Sequence, residues 1–136
     1  MIAAEAVTQA QFYDVDAMQV VWHGNYARFL ELARCALMEK IGYSYAEMAA
    51  SGYMWPIVDM RIKYVRPVRL AQKVRLCATL VEYENRIRID YRILDAATGE
   101  LLSKAQTTQL AVAMATDEMA FNSPGELIDK VRKLLP

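Results

Sequence analysis

The sequence is poor in the residues that build metal and disulfide frameworks. It has two cysteines, Cys35 and Cys77, and one histidine, His23. They share no short spacing and are too few for a Cys/His zinc site. Two isolated thiols point to a reducing, cytoplasmic setting. The opening MIAAEAVTQAQFYDVD carries Glu5 and no basic start, which argues against a secretory signal. Excess charge is missing too: 16 Lys and Arg balance 16 Asp and Glu. A chain that grips a nucleic-acid backbone usually carries a basic surplus, so nucleic acid is not an expected partner. No apolar run approaches the ~20 residues of a membrane span. With 5 Gly and 4 Pro there is no linker, repeat or low-complexity tract.

What is present is a core. Apolar residues make up 55% of 136 residues, enough for one domain over residues 1–136. A neutral chain this apolar has little charge to hold copies apart, which favours self-association.

The hydrophobic period changes along the chain. Residues 5–13 alternate weakly and predict a strand, and residues 14–21 a loop. From His23 the period is helical: Tyr26, Phe29, Leu30, Ala33, Leu37 and Ile41 recur at spacings of three and four, and Gly42 stands where a C′ glycine ends a helix. Leu32, Ala36 and Met38 widen the apolar surface, so this long helix is expected to be wrapped by other structure. Ser44 and Glu47 have capping-box spacing for a short helix over 44–51. Strands are expected over 55–65, 73–84, 86–94 and 101–115. The third is the clearest, with Ile87, Ile89, Tyr91 and Ile93 against Arg86, Arg88, Asp90 and Arg92. Ser123-Pro124-Gly125-Glu126 then opens a last helix, with Ser123 as N-cap and Pro124 at N1. One long helix followed by antiparallel strands predicts an α+β fold in which the sheet curls around that helix.

The segment Phe12-Tyr13-Asp14-Val15-Asp16-Ala17-Met18-Gln19-Val20-Val21-Trp22-His23-Gly24-Asn25-Tyr26 resembles the signature of the 4-hydroxybenzoyl-CoA thioesterase family of hotdog-fold proteins. The likeness continues through Phe29, Glu31, Ala33 and Arg34, and returns in Ile62-Lys63-Tyr64-Val65-Arg66-Pro67-Val68. The resemblance implies an antiparallel sheet wrapped around a long central helix. It implies dimerisation through the sheets, often with a second pairing into a tetramer. It also implies hydrolysis of an acyl-CoA thioester with no metal or organic cofactor. The family's catalytic carboxylate is the second Asp of a D-x-D motif, which falls on Asp16. Its oxyanion donors are backbone N–H groups at the start of the helix, which fall on His23 and Gly24. Many members carry glycine just after that Asp, where this chain has Met18 and Gln19. Those bulkier side chains would narrow the way in for substrate.

The residues suit that chemistry. A carboxylate at Asp16 can attack a thioester carbonyl or take a proton from water, and the sequence leaves both open. Orphan N–H groups at a helix start, on the positive side of the dipole, suit a developing oxyanion. Alternatives stand beside each assignment. Asp16 can be an ordinary turn residue. Asp14 reads as solvated. His23 is expected to act through its N–H and not its imidazole. Asn25 either caps the helix or orients the Asp16 loop. Glu31 is a reserve carboxylate, or an ion-pair partner for Arg34 at i+3. Arg86 and Arg88 could take coenzyme A phosphates, as could Arg61, Lys63, Arg66 and Arg92, though a solvated sheet face is the commoner explanation of such charges. Trp22 and Trp55 are candidate pocket walls, with methionines and tyrosines as acyl-pocket lining. Cys35 and Cys77 read as small buried hydrophobes. Competing functions are hydrolysis of acyl-carrier-protein thioesters, a non-catalytic acyl-CoA-binding module, and a ligand-free dimerisation domain.

Overall fold

Two strands set the scaffold: β4 (Lys73–Glu82) and β5 (Ile87–Asp95). Their inward positions, Val74, Leu76, Ala78 and Leu80 on one and Ile87, Ile89, Tyr91 and Ile93 on the other, are all buried. Burying each large aliphatic side chain stabilises the fold by about 1.5–3 kcal/mol. The computed structural model describes residues 1–136. It adds β1 (Ala3–Gln9), β3 (Ile57–Tyr64) and β6 (Leu101–Gln109) to give one antiparallel sheet in the order β1-β4-β5-β6-β3. A small ribbon pairs β2 (Tyr53–Met54) with β7 (Val112–Ala113).

The long helix α1 (Tyr26–Ile41) lies across the sheet, packed chiefly on β1 and β4. Tyr26, Phe29, Leu30, Ala33, Leu37 and Ile41 face the core as their spacing predicts. Gly42 closes it at φ 83°, its N–H donating back to the Met38 and Glu39 carbonyls, a geometry that glycine adopts without Cβ strain. This is the expected α+β hotdog arrangement, with the sheet as wrapping and α1 as filling. Its helix has no length of apolar surface able to cross a membrane.

Several boundaries differ from the sequence reading. The first strand stops at Gln9, and Phe12–Asp14 form a 3-10 turn. The expected strand 55–65 forms as β3 but starts only at Ile57, after Pro56, which has no N–H to give a ladder, and Tyr53–Met54 just before it join the ribbon. The expected strand 101–115 breaks after Gln109, whose buried side chain donates to the Trp55 carbonyl at 2.9 Å. Ser44 is the N-cap of α2 (Tyr45–Ala50), but the capping box does not form. Its hydroxyl donates to Glu47 Oε1 at 3.0 Å, and Lys130 donates to Glu47 Oε2 at 2.6 Å. Those two hydrogen bonds, Lys130 first, hold the Glu47 carboxyl below its ordinary range. The last helix, α3 (Gly125–Arg132), has Pro124 and not Ser123 at its N-cap. Cys35 is exposed, a correction to its reading as buried, and Leu32 on the same side of α1 is exposed too. That side of the helix has no covering layer within the chain.

Candidate active site

The segment between β1 and α1 is a tight hairpin-like turn. Val15 bridges Val21, Asp16 N–H donates to Val20 C=O at 3.0 Å, and Gln19 N–H donates to Asp16 C=O at 2.9 Å. This pattern places Gln19 in the left-handed region, at φ 60°. Glycine is the unstrained residue there, which gives a physical reason for glycine in this part of the motif. Asp16 takes the turn role as well: its Oδ1 accepts from Met18 N–H at 2.8 Å. Its other carboxylate oxygen has no partner in the chain, and the side chain is half-buried at the wall of a cleft.

The cleft encloses about 280 Å³ and is lined by Asp16, Met18, His23, Tyr26, Tyr64 and Arg66 among others. The structure therefore brings Asp16 and the start of the helix to one place. The helix begins with a 3-10 turn, His23–Asn25, before Tyr26. Asn25 N–H is taken by Trp22 C=O at 2.8 Å, whereas the His23 and Gly24 N–H groups have no acceptor in the chain. The turn is anchored from three sides. Tyr64 Oη donates to His23 C=O at 2.9 Å. Trp22 N–H donates to Asp14 C=O at 3.0 Å. Asn25 Nδ2 donates to that same carbonyl at 2.8 Å. Asn25 thus ties the helix start to the Asp14–Asp16 loop and makes no side-chain cap.

Asp14 is the main correction. It is 1% exposed, not solvated. Its carboxylate accepts from Gln11 N–H at 2.8 Å, from Arg28 Nε at 3.1 Å and from Arg28 Nη2 at 2.6 Å. Arg28 lies on the first turn of α1, so this ion pair pins the loop to the helix. Sequence reasoning missed it, and missed Tyr64 as an anchor. The only available signal was Arg28 one helical turn beyond His23-Gly24, facing back toward the D-x-D loop.

Trp22 is half-exposed, and its ring covers Gly24, so a Cβ built on Gly24 would overlap it. The indole also lies 5.0 Å from the His23 ring. Tyr26 packs edge-on to Tyr64 at 4.7 Å, and burial raises its phenol above the ordinary value. Glu31 pairs with Arg34, as its alternative reading had it.

Arg86 and Arg88 are not brought to the cleft of their own chain. Ile87 lies level with Gln109 and Ile57, while Tyr64 at the cleft ends the other side of β3. Seven residues of strand at ~3.3 Å each separate those levels by ~23 Å. Arg86 pairs with Glu82 at 3.1 Å. At that far end Tyr45, Met48, Tyr53, Met54, Trp55 and Met114 line a more apolar cavity of about 350 Å³. Trp55 thus belongs to a second cavity, apart from the one beside Trp22.

Comparison with known proteins places the chain in a family. The family model described as "Thioesterase-like superfamily" matches residues 10–131. A Bacillus subtilis protein provisionally named an acyl-CoA thioesterase is 29% identical over 105 residues, 76% of this chain and 75% of that protein. The crystal structure of a DHNA-CoA thioesterase from Staphylococcus aureus superposes with a TM-score of 0.85 at 28% identity, covering 98% of this chain and 93% of that one. A 1,4-dihydroxy-2-naphthoyl-CoA thioesterase from Synechocystis shares the fold, with a TM-score of 0.86 at 20% identity over 98% and 99% of the two chains.

Proposed function

This chain belongs to the thioesterase-like superfamily, and from that membership we propose that it hydrolyses an acyl-CoA thioester to a free acid and CoA, in the manner of the 4-hydroxybenzoyl-CoA thioesterase type. Asp16 supplies the carboxylate. As general base it takes a proton from water, and the resulting hydroxide adds to the thioester carbon. As nucleophile it adds directly, expels the thiolate and leaves a mixed anhydride for water to cleave. In both routes the carbonyl oxygen becomes an oxyanion and the C–S bond breaks; the thiolate takes up the proton that Asp16 drew from water in the first route, and in the second a proton released when water cleaves the anhydride. The His23 and Gly24 N–H groups receive the oxyanion. Such a donor is worth about 2.7–4 kcal/mol of barrier in a comparable site. The observation that carries this reading is that Asp16 and the His23 turn line one cleft, with both turn amides free and the turn held by Tyr64.

Trp22 and Asn25 lie outside the cleft lining, next in the chain to residues that form it, and serve substrate binding from there, Trp22 through its exposed ring and Asn25 by holding the turn. The same reading makes the protein a cytoplasmic single domain that works as a homodimer or homotetramer without a cofactor. β3 is an edge strand whose outer side is unpaired. Antiparallel β3–β3 pairing about a two-fold axis carries a second copy's Trp55-side cavity to the Tyr64 end of this strand. The acyl group then has an apolar receptor, and Arg86 and Arg88 of the second copy come within reach of the CoA phosphates.

The test is thiol release over a panel of acyl-CoAs, with acyl-carrier-protein thioesters as a second panel. Asp16→Asn is expected to lower kcat by about 10²–10⁴-fold with the fold intact. An Asp16→Asn protein within threefold of the parent rate overturns the assignment of Asp16. A parent that binds acyl-CoA without turnover overturns the hydrolase reading.

A further inference from the structure

The face of the sheet turned away from α1 carries an unusual row of charge. Paired residues in an antiparallel sheet project to the same side. Lys63 is level with Lys104, and Lys104 with Arg92, so three cations stand side by side across β3, β6 and β5. All three are exposed. None is ion-paired: the carboxylates that make ion pairs in this chain are held by Arg28, Arg34, Arg61, Arg66, Arg75, Arg86 and Lys130. Like charges directly opposite one another disfavour strand pairing. The nearby acids do not relieve the row. Asp90 accepts from Gln106 Nε2 at 2.8 Å, and Asp59 pairs with Arg61. Glu5 lies two strands beyond Arg92, past Cys77, about 10 Å away at the usual strand spacing.

The row floors an open basin of about 490 Å³ whose rim includes Arg61, Asp90 and Gln106. Adjacent strands ~4.8 Å apart let three long side chains converge on one group. The basin is open, and three cations gathered within about two strand spacings, roughly 10 Å, match a compact anion. A phosphomonoester brings about −1.5 to −2 charge near pH 7, which leaves about one of the three positive charges uncompensated, whereas a terminal diphosphate, with a second ionised phosphate, comes closer to balancing them.

We propose that this outer face is an anion site in which Lys63, Lys104 and Arg92 take a diphosphate-bearing small molecule. The site is separate from the Asp16 cleft and does not rest on the hydrolase reading, because the probe needs no turnover. The anion has two chemical sources, the diphosphate of a CoA thioester together with its ribose phosphate, or the terminal diphosphate of a free nucleotide.

The experiment measures inorganic pyrophosphate binding at low salt, by calorimetry and melting temperature. The parent is compared with Lys63→Gln/Arg92→Gln/Lys104→Gln and with Lys104→Gln alone, the middle of the row. Pyrophosphate at one hundred times its Kd is expected to raise the parent Tm by about 9 °C. Lys104→Gln is expected to weaken binding about tenfold, and the triple variant to lose it. Without anion the triple variant should melt no lower than the parent, since it is freed of like-charge contacts. The sources separate on the thioester assay. A KM raised more than tenfold at unchanged kcat in the triple variant assigns the site to CoA. An unchanged KM with pyrophosphate binding lost assigns it to another diphosphate. The proposal is overturned if pyrophosphate does not stabilise the parent or stabilises the triple variant equally. It is also overturned if the triple substitution changes the sedimentation mass without anion, because the face is then a contact between copies.

Discussion

Two aspartates two residues apart are given opposite work by the fold, and their alanine variants should separate it. Asp14→Ala removes three hydrogen bonds, two of them to the Arg28 guanidinium. Breaking a fully buried ion pair costs about 3–5 kcal/mol, much of it from the charge left unpaired. The Arg28 side chain is 39% exposed and can rehydrate, so the lower end applies, about 3 kcal/mol. At about 2.1 cal/mol/K per residue the unfolding entropy of this chain is about 0.29 kcal/mol/K, which converts that loss to a Tm drop of about 10 °C. Asp16→Ala removes a single half-exposed turn hydrogen bond, to Met18 N–H. That costs about 1 kcal/mol, or ~3 °C. Thermal and urea unfolding of the two variants, with Arg28→Ala and the Asp14→Ala/Arg28→Ala double variant, complete the cycle. A coupling of at least about 1 kcal/mol is expected between Asp14 and Arg28. If Asp14→Ala melts within 3 °C of the parent, or Asp16→Ala melts as low as Asp14→Ala, the division of labour is wrong.

Gln19→Gly should stabilise by about 0.5–1 kcal/mol, because relief of the left-handed strain at φ 60° outweighs the backbone entropy of glycine; a lower urea midpoint would refute the strain argument. Gly24→Ala should displace the Trp22 ring that lies over it, seen as a shift in tryptophan emission together with at least a tenfold loss of thioester turnover; unchanged emission would contradict the packing. Asp95 is held down to about 2 by hydrogen bonds, that of Gln72 first and those of Ala97 and Thr98 after it. Its folded-state value is therefore below its unfolded one, so its stabilisation is complete above about pH 4 and disappears as the pH falls toward 2. Asp95→Asn should flatten the stability curve between those limits, and parallel parent and variant curves would exclude that role.

Much of this was legible in the residues. The core stripe of α1, its end at Gly42 and the alternation of β4 and β5 were set by local periodicity, because each buried position there recurs at the spacing of its own helix or strand. Asp16, His23 and Gly24 stood out as a motif whose chemistry suits an acyl carbonyl. Residues that act on distant partners were less visible. Asp14 reads as a loop acid until Arg28 closes over it, and Tyr64 as a strand tyrosine until its hydroxyl meets His23. The final strand continues in β-forming residues past Gln109, and only the tertiary pairing of Val112–Ala113 with Tyr53–Met54 shows that it leaves the main sheet there.

The order of letters alone determined an α+β chain with one long buried helix, a sheet to wrap it, and an acid just upstream of the helix start. Tertiary structure decided which acid is sequestered and which faces the cleft, how far Arg86 and Arg88 lie from it, and that Lys63, Lys104 and Arg92 stand in one row. The physical reason is range. Periodicity and caps are satisfied within a few residues of chain, whereas ion pairs, cross-strand neighbours and cavities depend on register between segments tens of residues apart, set only when the whole core packs.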